Sequence, residues 1–361
     1  MINLLDDSAI ARARSGCTSA LCLTFNGLKV RLLTNNPSIL DYLVGYFSGL
    51  TDSQAVQREL RVFLIDGEPD TGAVDWAPVQ RSKVSRLGLK EAYVDTHDGR
   101  WIHKVRTGLV MFQSLVDPVV MGDLLANRSQ VVNFINNQFL NHYQRQGYLL
   151  GHASAFDIEG RTTAIAASSG GGKSTLMLKA LETPGARFLS NDRILFKAEG
   201  GAVRVLGVAK HPRVNPGTLM HSERLRSILP AAEQKRFAGM PTGELWEIEQ
   251  KYDVLIPAAY GDGKTALSGT LRNLVLLDWS LDDPAPTELG PVDIEQSPHA
   301  LDGLRKSPGP FFQNAEGVFP PEQSPAADVY ADRLPGVQVL QLTGRVDFDR
   351  AVELLHQRGL L

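Results

Sequence analysis

One segment near the middle of the chain restricts the possible folds more than any other feature. It reads Ala-Ser-Ser-Gly-Gly-Gly-Lys-Ser-Thr over residues 167–175. The apolar run that precedes it, at 162–166, is typical of a buried strand, and the segment that follows it, at 175–181, is typical of a helix. A strand, a glycine-rich turn, a Lys-Ser pair and a helix in this order form the P-loop arrangement. The sequence therefore predicts an α/β fold around this segment.

The chemistry of this segment follows from its residue types. Glycines lack a Cβ, so the backbone can curl until several N–H groups point at one centre, and the N-terminus of the next helix adds its positive dipole end. Lys173 can reach the β- and γ-phosphates, and the Ser174 hydroxyl can ligate Mg²⁺. We expect ATP and Mg²⁺ to bind here, with nucleotide contacts from Ser169, Gly170, Gly171, Gly172, Lys173, Ser174 and Thr175.

One position departs from the usual pattern. Ala167 stands where a P-loop normally begins with glycine. The alternative is a Gly/Ser-rich loop that only turns the chain, but a Gly-Lys-Ser-Thr sequence between a strand and a helix favours phosphate binding.

The composition excludes several classes of function. Of 361 residues, 43% are hydrophobic and 21% are charged, and the formal net charge is −3, so no general attraction to nucleic acid or to an anionic membrane is expected. The sequence contains no apolar run of about 18 residues and no visible signal peptide. Cys17 and Cys22 have no nearby His or Cys, which favours reduced thiols over a metal site. These features predict a cytoplasmic protein.

The pattern of elements predicts two domains. Residues 1–147 have the alternation and turn signals of an α/β domain, including a hairpin around Asn26-Gly27. A long helix is predicted over 123–145, with Val131, Phe134, Ile135 and Phe139 on one face. This domain carries no chemical motif, so recognition or assembly is its expected role. Residues 148–361 form the P-loop core. A proline-rich stretch at about 282–328 is expected to be a long loop.

Two acidic residues follow predicted strands. Asp192 comes after the short strand at 187–190, and Asp278 ends the apolar strand at 271–278. Ligands of open α/β sheets bind at the carboxyl ends of strands. We therefore predict that Asp192 and Asp278 join Ser174 in binding Mg²⁺, and that Asp192 also orients or deprotonates the acceptor hydroxyl. The alternatives are a helix or turn cap at Asp192 and an ordinary turn at Asp278.

Basic residues form a further candidate cluster. Lys210 and Arg213, with His211 between them, follow a predicted strand, and their donors suit a γ-phosphate or an acidic acceptor. A solvated loop is the alternative. His152, which precedes the P-loop strand and its partner, is either a catalytic residue or a hydrogen-bonded strand histidine.

The order of these motifs resembles the catalytic core of HPr kinase/phosphorylase. The resemblance rests on His152-Ala-Ser-Ala-Phe, the P-loop and Arg187-Phe-Leu-Ser-Asn-Asp-Arg193. The wider pattern is more similar to the HprK-related kinases of the B type, which share stretches like those at 133–136, 213–219, 245–253 and 342–349. The core resemblance covers about residues 150–215, and the wider one covers most of the chain from about residue 100.

The resemblance implies an HPr-kinase-like core with a mixed sheet, a Mg²⁺-dependent kinase activity and a homo-oligomer. It assigns Asp192 to the activation of the attacking group and places His152 close to the phosphates. Two departures stand out: Asn191 replaces the first acid of the family's Asp pair, and residues 207–213 replace a Glu-x-Arg-Gly signature that supplies a metal-binding Glu. They argue against a phosphorylase half-reaction and against HPr itself as the acceptor.

Together these observations predict a kinase that transfers the γ-phosphoryl group of ATP to a hydroxyl. The acceptor is a protein, a peptide or a small molecule, with no nucleic acid or membrane partner. Lys173, Lys210 and Arg213 would stabilise the transferring group. The alternative is a nucleotide-gated binding or assembly module with little or no catalysis, which Asn191 and the missing Glu favour.

Overall fold

The computed structural model describes residues 1–80, 88–241, 244–245, 248 and 250–361. Trp246, Glu247 and Glu249, within the stretch quoted at 245–253, lie outside the described residues. The chain divides into two compact units, Met1–Gly147 with Ser307–Gln323 and Tyr148–Lys306 with Ser324–Leu361. Each unit combines helices with a sheet that contains both parallel and antiparallel pairs. The α/β prediction is confirmed.

The first unit is built on an eight-stranded sheet in the order β2-β3-β4-β10-β9-β8-β7-β6. Strands β3, β4 and β10 are parallel neighbours, and the remaining pairs are antiparallel. A separate parallel pair joins β1 to β5. The strands are β1 Ile2–Asn3, β2 Ser19–Phe25, β3 Leu28–Thr34, β4 Arg58–Asp66, β5 Pro69–Asp70, β6 Ala77–Pro78, β7 Ala92–Asp95, β8 Gly99–Lys104, β9 Leu109–Ser114 and β10 Val119–Gly122.

The predicted hairpin at Asn26-Gly27 is present between β2 and β3. Phe25 and Leu28 pair across it, and both turn residues have positive φ, 51° at Asn26 and 85° at Gly27. A two-residue turn of this kind needs φ above zero at both positions, which Asn and Gly tolerate best. The dipeptide therefore sets the register of this pair of strands.

The described residues of the first unit contain three helices, α1 Asp7–Ser15, α2 Pro37–Phe47 and α3 Arg128–Arg145. The predicted face of α3 is confirmed, since Val131, Phe134, Ile135 and Phe139 are all buried. The helix begins later than the predicted Asp123, because the Asp123 carboxylate accepts the N–H of Ala126 and residues 123–127 form turns instead.

The second unit contains a nine-stranded mixed sheet. Its main path is β11-β15-β16-β19-β13-β12-β14, and β21 pairs with both β19 and β20. A separate antiparallel pair joins β17 to β18. The strands are β11 Leu149–Gly151, β12 Ala153–Ile158, β13 Arg161–Ala166, β14 Arg187–Ser190, β15 Ile194–Glu199, β16 Ala202–Gly207, β17 Arg213–Val214, β18 Tyr252–Asp253, β19 Ser268–Ser280, β20 Glu288–Pro291 and β21 Gln338–Arg345.

The strand directions bring several loops to one edge of this sheet. Strands β13, β19 and β21 are parallel, so their carboxyl ends share an edge. Strand β12 is antiparallel to both β13 and β14, so its amino end and the carboxyl end of β14 lie at that edge as well. His152, the P-loop, Asp192 and Asp278 lie at or next to these strand ends, whereas Lys210 and Arg213 follow β16, which is antiparallel to β19.

Six helices complete the described part of the second unit: α4 Lys173–Ala180, α5 Pro216–Met220, α6 Ala231–Ala238, α7 Ile256–Tyr260, α8 Ala327–Ala331 and α9 Phe348–Gln357. Short 3₁₀ helices span Arg226–Ile228 and Pro298–Gly303. A core cluster of buried alanines and larger apolar side chains packs on the sheet, with Phe196 and Tyr330 among its largest members. The Tyr330 hydroxyl donates to the Leu150 carbonyl oxygen at 2.6 Å.

The proline-rich stretch at 282–328 contains regular structure. It includes β20, the 3₁₀ helix at Pro298–Gly303 and the start of α8, while residues 307–323 belong to the first unit. Within that unit the Asn141 amide donates to the carbonyl oxygen of Phe311 at 2.7 Å. Short elements with few periodic positions give no clear hydrophobic pattern, which explains why the sequence predicts only a loop.

Among the helices of the described ranges, none is long and apolar enough to cross a bilayer.

Candidate nucleotide-binding site

The glycine-rich segment joins β13 directly to α4. The strand ends at Ala166 and the helix begins at Lys173, with Gly172 as its N-cap. Gly170 and Gly172 have φ of 85° and 92°, in the left-handed region that favours glycine. These two positions turn the backbone so that the loop leads into the N-terminus of the helix, where unpaired N–H groups favour an anion.

The Lys173 side chain folds back over this loop and contacts its first residues. It is 8% exposed, and its ammonium donates to the carbonyl oxygens of Ala167 and Ser168, both at 3.0 Å. Burial lowers the pKa of Lys173 to about 8, and the negative charge of Asp192 opposes this shift. A phosphate oxygen beside Lys173 would stabilise the protonated form further, so anion binding and protonation of Lys173 favour each other.

The Ser174 hydroxyl contacts Asn191, the residue that stands in place of the first acid of the expected Asp pair. Ser174 donates to the amide oxygen of Asn191 at 2.7 Å, and Ser154 donates to the same oxygen at 2.9 Å. Asn191 follows β14 and Ser154 lies at the start of β12, so the sheet places both beside the first turn of α4. Asn191 thus holds the predicted Mg²⁺-binding hydroxyl in position.

Asp192 lies next to His152 at the same edge of the sheet. The Nε2 of His152 is 3.4 Å from an oxygen of Asp192, and Asp192 has a positive φ of 68°. Burial alone would raise the pKa of this carboxyl group, but the hydrogen bond from His152 and the positive charges of Lys306 and Arg193 lower it well below its usual range. Asp192 is therefore an anion at neutral pH, and its backbone conformation is one that Asp and Asn tolerate better than most residues.

The basic cluster lies on the segment that leads from β16 into β17. Burial lowers the pKa of Lys210 to about 8, with Asp192 acting in the opposite direction. Arg213 pairs with Asp253 across β17 and β18 at 3.2 Å, and His211 is 2% exposed. Arg213 is thus part of a strand pair and His211 is buried, whereas Lys210 lies half-buried on the irregular segment before them.

A single cavity of about 710 Å³ brings most of the predicted residues together. The P-loop, the Asp192 edge and the basic cluster all contribute to its wall. The predicted residues that line it are His152, Ser169, Gly170, Gly171, Gly172, Lys173, Ser174, Thr175, Asp192, Lys210 and Arg213.

Asp278 is the exception. Its side chain is exposed and lies outside the set of residues that line the cavity. It accepts a hydrogen bond from the Gln341 amide at 2.9 Å, across the β19–β21 pair. Successive residues of a strand point to opposite faces, so the neighbouring Trp279, and not Asp278, faces the P-loop. The structure does not bring Asp278 together with Ser174 and Asp192, and we leave it out of the proposed metal site.

Two aromatic residues, Trp279 and Phe348, lie next to the glycine-rich loop. The Trp279 indole donates to the Gly171 carbonyl oxygen at 3.0 Å, and the rings of Trp279 and Phe348 meet edge to face at 5.2 Å. Both residues come from strand or helix ends at the same edge of the sheet. Sequence reasoning did not single out either one, although Phe348 lies in the stretch at 342–349 that supports the family resemblance.

This packing predicts that Gly172→Ala weakens both stability and nucleotide binding. A Cβ at this position would lie 2.9 Å from two Phe348 ring atoms, and the φ of 92° disfavours any side chain. We expect a loss of roughly 1–3 kcal/mol in the free energy of unfolding, measured by urea titration, and a weaker affinity for ATP. Gly239→Ala is the matched control, because its φ is −93° and a Cβ there meets no atom within 4 Å. Equal stability of the two variants would contradict this account of Gly172.

The oxygen donors around Ser174 suit Mg²⁺. A hydroxyl, an amide oxygen and the Asp192 carboxylate are hard ligands, and Mg²⁺ in phosphate-binding sites uses one or two such groups together with phosphate oxygens and waters. Among the residues that the structure describes, no group of three or more His, Cys, Asp or Glu side chains could hold a metal ion by itself. The residues present therefore fit a metal that arrives with the nucleotide.

No family model matches the chain, and no curated protein does. Among solved structures, the chain is similar to the HPr(Ser) kinase/phosphatase from Coxiella burnetii, with a TM-score of 0.30 and 12% identity over 58% of this chain and 90% of that one. A TM-score of 0.30 does not support a conclusion about function. The chemistry of the site is therefore inferred from the residues described above. Membership of the HprK-related kinases stays a prediction.

Proposed function

We propose that this protein is an ATP- and Mg²⁺-dependent kinase that phosphorylates a hydroxyl group. The observation that carries the proposal is the convergence of the P-loop and Asp192 on one cavity. Lys173 and Ser174 would hold the triphosphate, and an ionised carboxylate lines the same cavity. Phosphoryl transfer requires these parts: a site that neutralises the phosphates and a group that orients the nucleophile.

In the proposed reaction the acceptor hydroxyl oxygen attacks the γ-phosphorus. The bond between that phosphorus and the oxygen that leaves with ADP breaks, and the hydroxyl proton passes to solvent as the phosphate ester forms. Asp192 accepts a hydrogen bond from the acceptor hydroxyl, and this bond directs a lone pair of the hydroxyl oxygen towards the phosphorus. A carboxyl group with a strongly lowered pKa is a weak base, so orientation is its main contribution. His152 keeps the Asp192 carboxylate in place.

Ser174 and Asp192 are the residues that would hold Mg²⁺, with Asn191 beside them. The ion would supply positive charge next to the phosphate oxygens, where negative charge accumulates during transfer. The ammonium of Lys173 would supply the same kind of stabilisation. The acceptor, a cytoplasmic location and a homo-oligomeric state stay predictions.

One observation favours the alternative of a nucleotide-gated binding module. The Ser174 hydroxyl and the Ser154 hydroxyl both bind a neutral amide oxygen at Asn191, where a second acid would hold a metal more tightly. A weakened metal site slows catalysis while leaving nucleotide binding in place. The two functions therefore differ in phosphoryl transfer and not in ATP affinity.

The decisive experiment is incubation of the protein with γ-labelled ATP and Mg²⁺ in the presence of a broad range of acceptors, including cell extract. A labelled product that disappears with Lys173→Ala and with Asp192→Asn supports the kinase. Measurable ATP binding without any transfer would replace the kinase with the binding module.

Asn191→Asp is expected to tighten Mg²⁺ binding. An Asp oxygen can still accept the two hydroxyl hydrogen bonds, so the geometry is kept while a negative charge is added. We expect the Mg²⁺ concentration for half-maximal binding of an ATP–Mg²⁺ analogue to fall roughly tenfold, equal to about 1.4 kcal/mol. Asp349→Asn, which changes a carboxylate paired with Lys179 on the same cavity, is the control and should leave this value unchanged. If Asn191→Asp has no effect on the Mg²⁺ requirement, residue 191 does not contribute to the metal site.

A further inference from the structure

We propose that the part of the cavity lined by Lys210 and Arg213 binds an oxyanion of the acceptor, so that the substrate is a small hydroxyl compound carrying a carboxylate or a phosphate. This inference rests on the proposed kinase function and adds the class of acceptor.

Lys210 offers a charge that the protein itself does not neutralise by direct contact. Its side chain lines the cavity and is half-buried. Within the described part of the chain, its ammonium makes no hydrogen bond or ion pair. Arg213 nearby shares its charge with Asp253, at 3.2 Å, and Lys251 lines the same cavity. A half-buried ammonium group without a partner is stabilised by an anionic ligand.

The charge of Asp192 acts both on the phosphate-binding loop and on this subsite. The charges that act on Lys173 come from Asp192, Lys306 and Lys251. The charges that act on Lys210 come from Asp192, Arg193, Arg213 and Asp253. Asp192 is the group common to both, and all three side chains line the same cavity. An acceptor whose hydroxyl lies at the Asp192 carboxylate would therefore share the cavity with Lys210, which suits a compound that carries an oxyanion.

The segment that carries the basic residues is held in place before any ligand binds. The N–H of Val208 donates to the Ser190 hydroxyl at 3.0 Å, and the N–H of Val254 donates to the Pro212 carbonyl oxygen at 2.8 Å. These bonds fasten the segment to β14 at one end and to the chain after β18 at the other. A preorganised pair of cations binds an anion with a smaller loss of conformational entropy than a mobile loop would.

The cavity volume favours a small acceptor over a protein. Ligand pockets of roughly 300–1,000 Å³ enclose compounds of drug size. The cavity of about 710 Å³ lies within that range and has to hold the nucleotide as well. The remaining space suits a compound of a few carbon atoms, whereas labelling of proteins alone is the outcome that would point to a protein acceptor.

The first test measures anion binding directly. The full chain is saturated with a non-hydrolysable ATP analogue and Mg²⁺, which occupies the P-loop, and labelled inorganic phosphate is titrated. We expect Lys210→Gln to weaken phosphate binding by about tenfold or more, the size of a lost charge-assisted hydrogen bond. Lys179→Gln is the matched control, because Lys179 lines the same cavity but is paired with Asp349. Equal phosphate affinity in wild type and Lys210→Gln overturns the proposal.

The second test compares three acceptors with one carbon skeleton: glycerol, glycerate and glycerol 3-phosphate. Transfer from γ-labelled ATP should favour a charged compound over glycerol by about tenfold or more, and Lys210→Gln should remove that preference. A preference between glycerate and glycerol 3-phosphate distinguishes a carboxylate from a phosphate subsite. If none of the three is phosphorylated, the effect of Lys210→Gln on phosphate binding decides whether the oxyanion subsite exists.

The two proposals fail in different ways. Absence of binding by the ATP analogue contradicts the kinase itself. Binding of the analogue together with transfer that is independent of Lys210, or with label in proteins only, contradicts the oxyanion subsite and leaves the kinase in place.

Discussion

Lys173→Ala is expected to remove phosphoryl transfer almost completely. The ammonium of Lys173 is the positive charge at the N-terminal turn of α4, buried beside Ala167 and Ser168. Loss of one such donor to a developing negative charge costs on the order of 10²–10³ in kcat. ATP affinity should also fall, because the lysine would contact the phosphates in the ground state as well. Initial rates with γ-labelled ATP and equilibrium binding of ATP measure the two effects separately.

The control for this substitution is Lys179→Ala on the same helix. Lys179 lies six residues further along α4 and pairs with Asp349 at 2.5 Å. Its loss should leave transfer within about twofold, since an exposed ion pair contributes little. Lys173→Ala also removes two hydrogen bonds to loop carbonyls, so a thermal melt must show that it remains folded. A folded Lys173→Ala protein with the wild-type transfer rate would rule out the P-loop as the site of reaction.

Asp192→Asn is expected to lower transfer by roughly 10²-fold, the order of the loss when a nucleophile is no longer held in its attacking geometry, while ATP still binds. The substitution removes the charge and keeps the shape. Asn tolerates the φ of 68° at this position, so the backbone is not strained further, as it would be with Ala. The expected result is therefore a fall in kcat with little change in ATP affinity.

The matched control for Asp192→Asn is Asp349→Asn. Asp349 lines the same cavity but its carboxylate is exposed and paired with Lys179. Comparable transfer by the two variants would mean that the charge of Asp192 has no special role. A large loss of ATP affinity with Asp192→Asn would show that Asp192 acts mainly through the metal and the nucleotide and does not orient the acceptor.

Several elements of the fold could be predicted from short stretches of sequence. The turn at Asn26-Gly27 and the buried face of α3 agree with expectation, because backbone conformation and hydrophobic periodicity depend on neighbouring residues. The start of α3 was placed too early, because the Asp123 side chain competes for a backbone N–H and favours a turn. The strand and 3₁₀ helix inside 282–328 were missed, because they are too short to show a period.

The candidate site likewise contains residues that short stretches of sequence predict and a contact that they do not predict. Gly170, Gly172, Lys173 and Ser174 were identified from consecutive residues. The contact between Ser174 and Asn191 spans 17 positions and required the pairing of β12 with both β13 and β14. In the sequence Asn191 appears only as a missing acid. In the structure its amide oxygen accepts hydrogen bonds from two hydroxyl groups.

The sequence by itself determined the strand, turn and helix of the P-loop, since each step depends on the residues next to it. Only the tertiary structure decided which distant acid joins the loop. Asp192 reaches the cavity because β14 ends at the same edge of the sheet as β13. Asp278 does not, although it also ends an apolar stretch, because side chains alternate along a strand and its neighbour Trp279 takes the face towards Gly171. Strand order and register are set by pairing between distant segments, and local patterns carry little information about them.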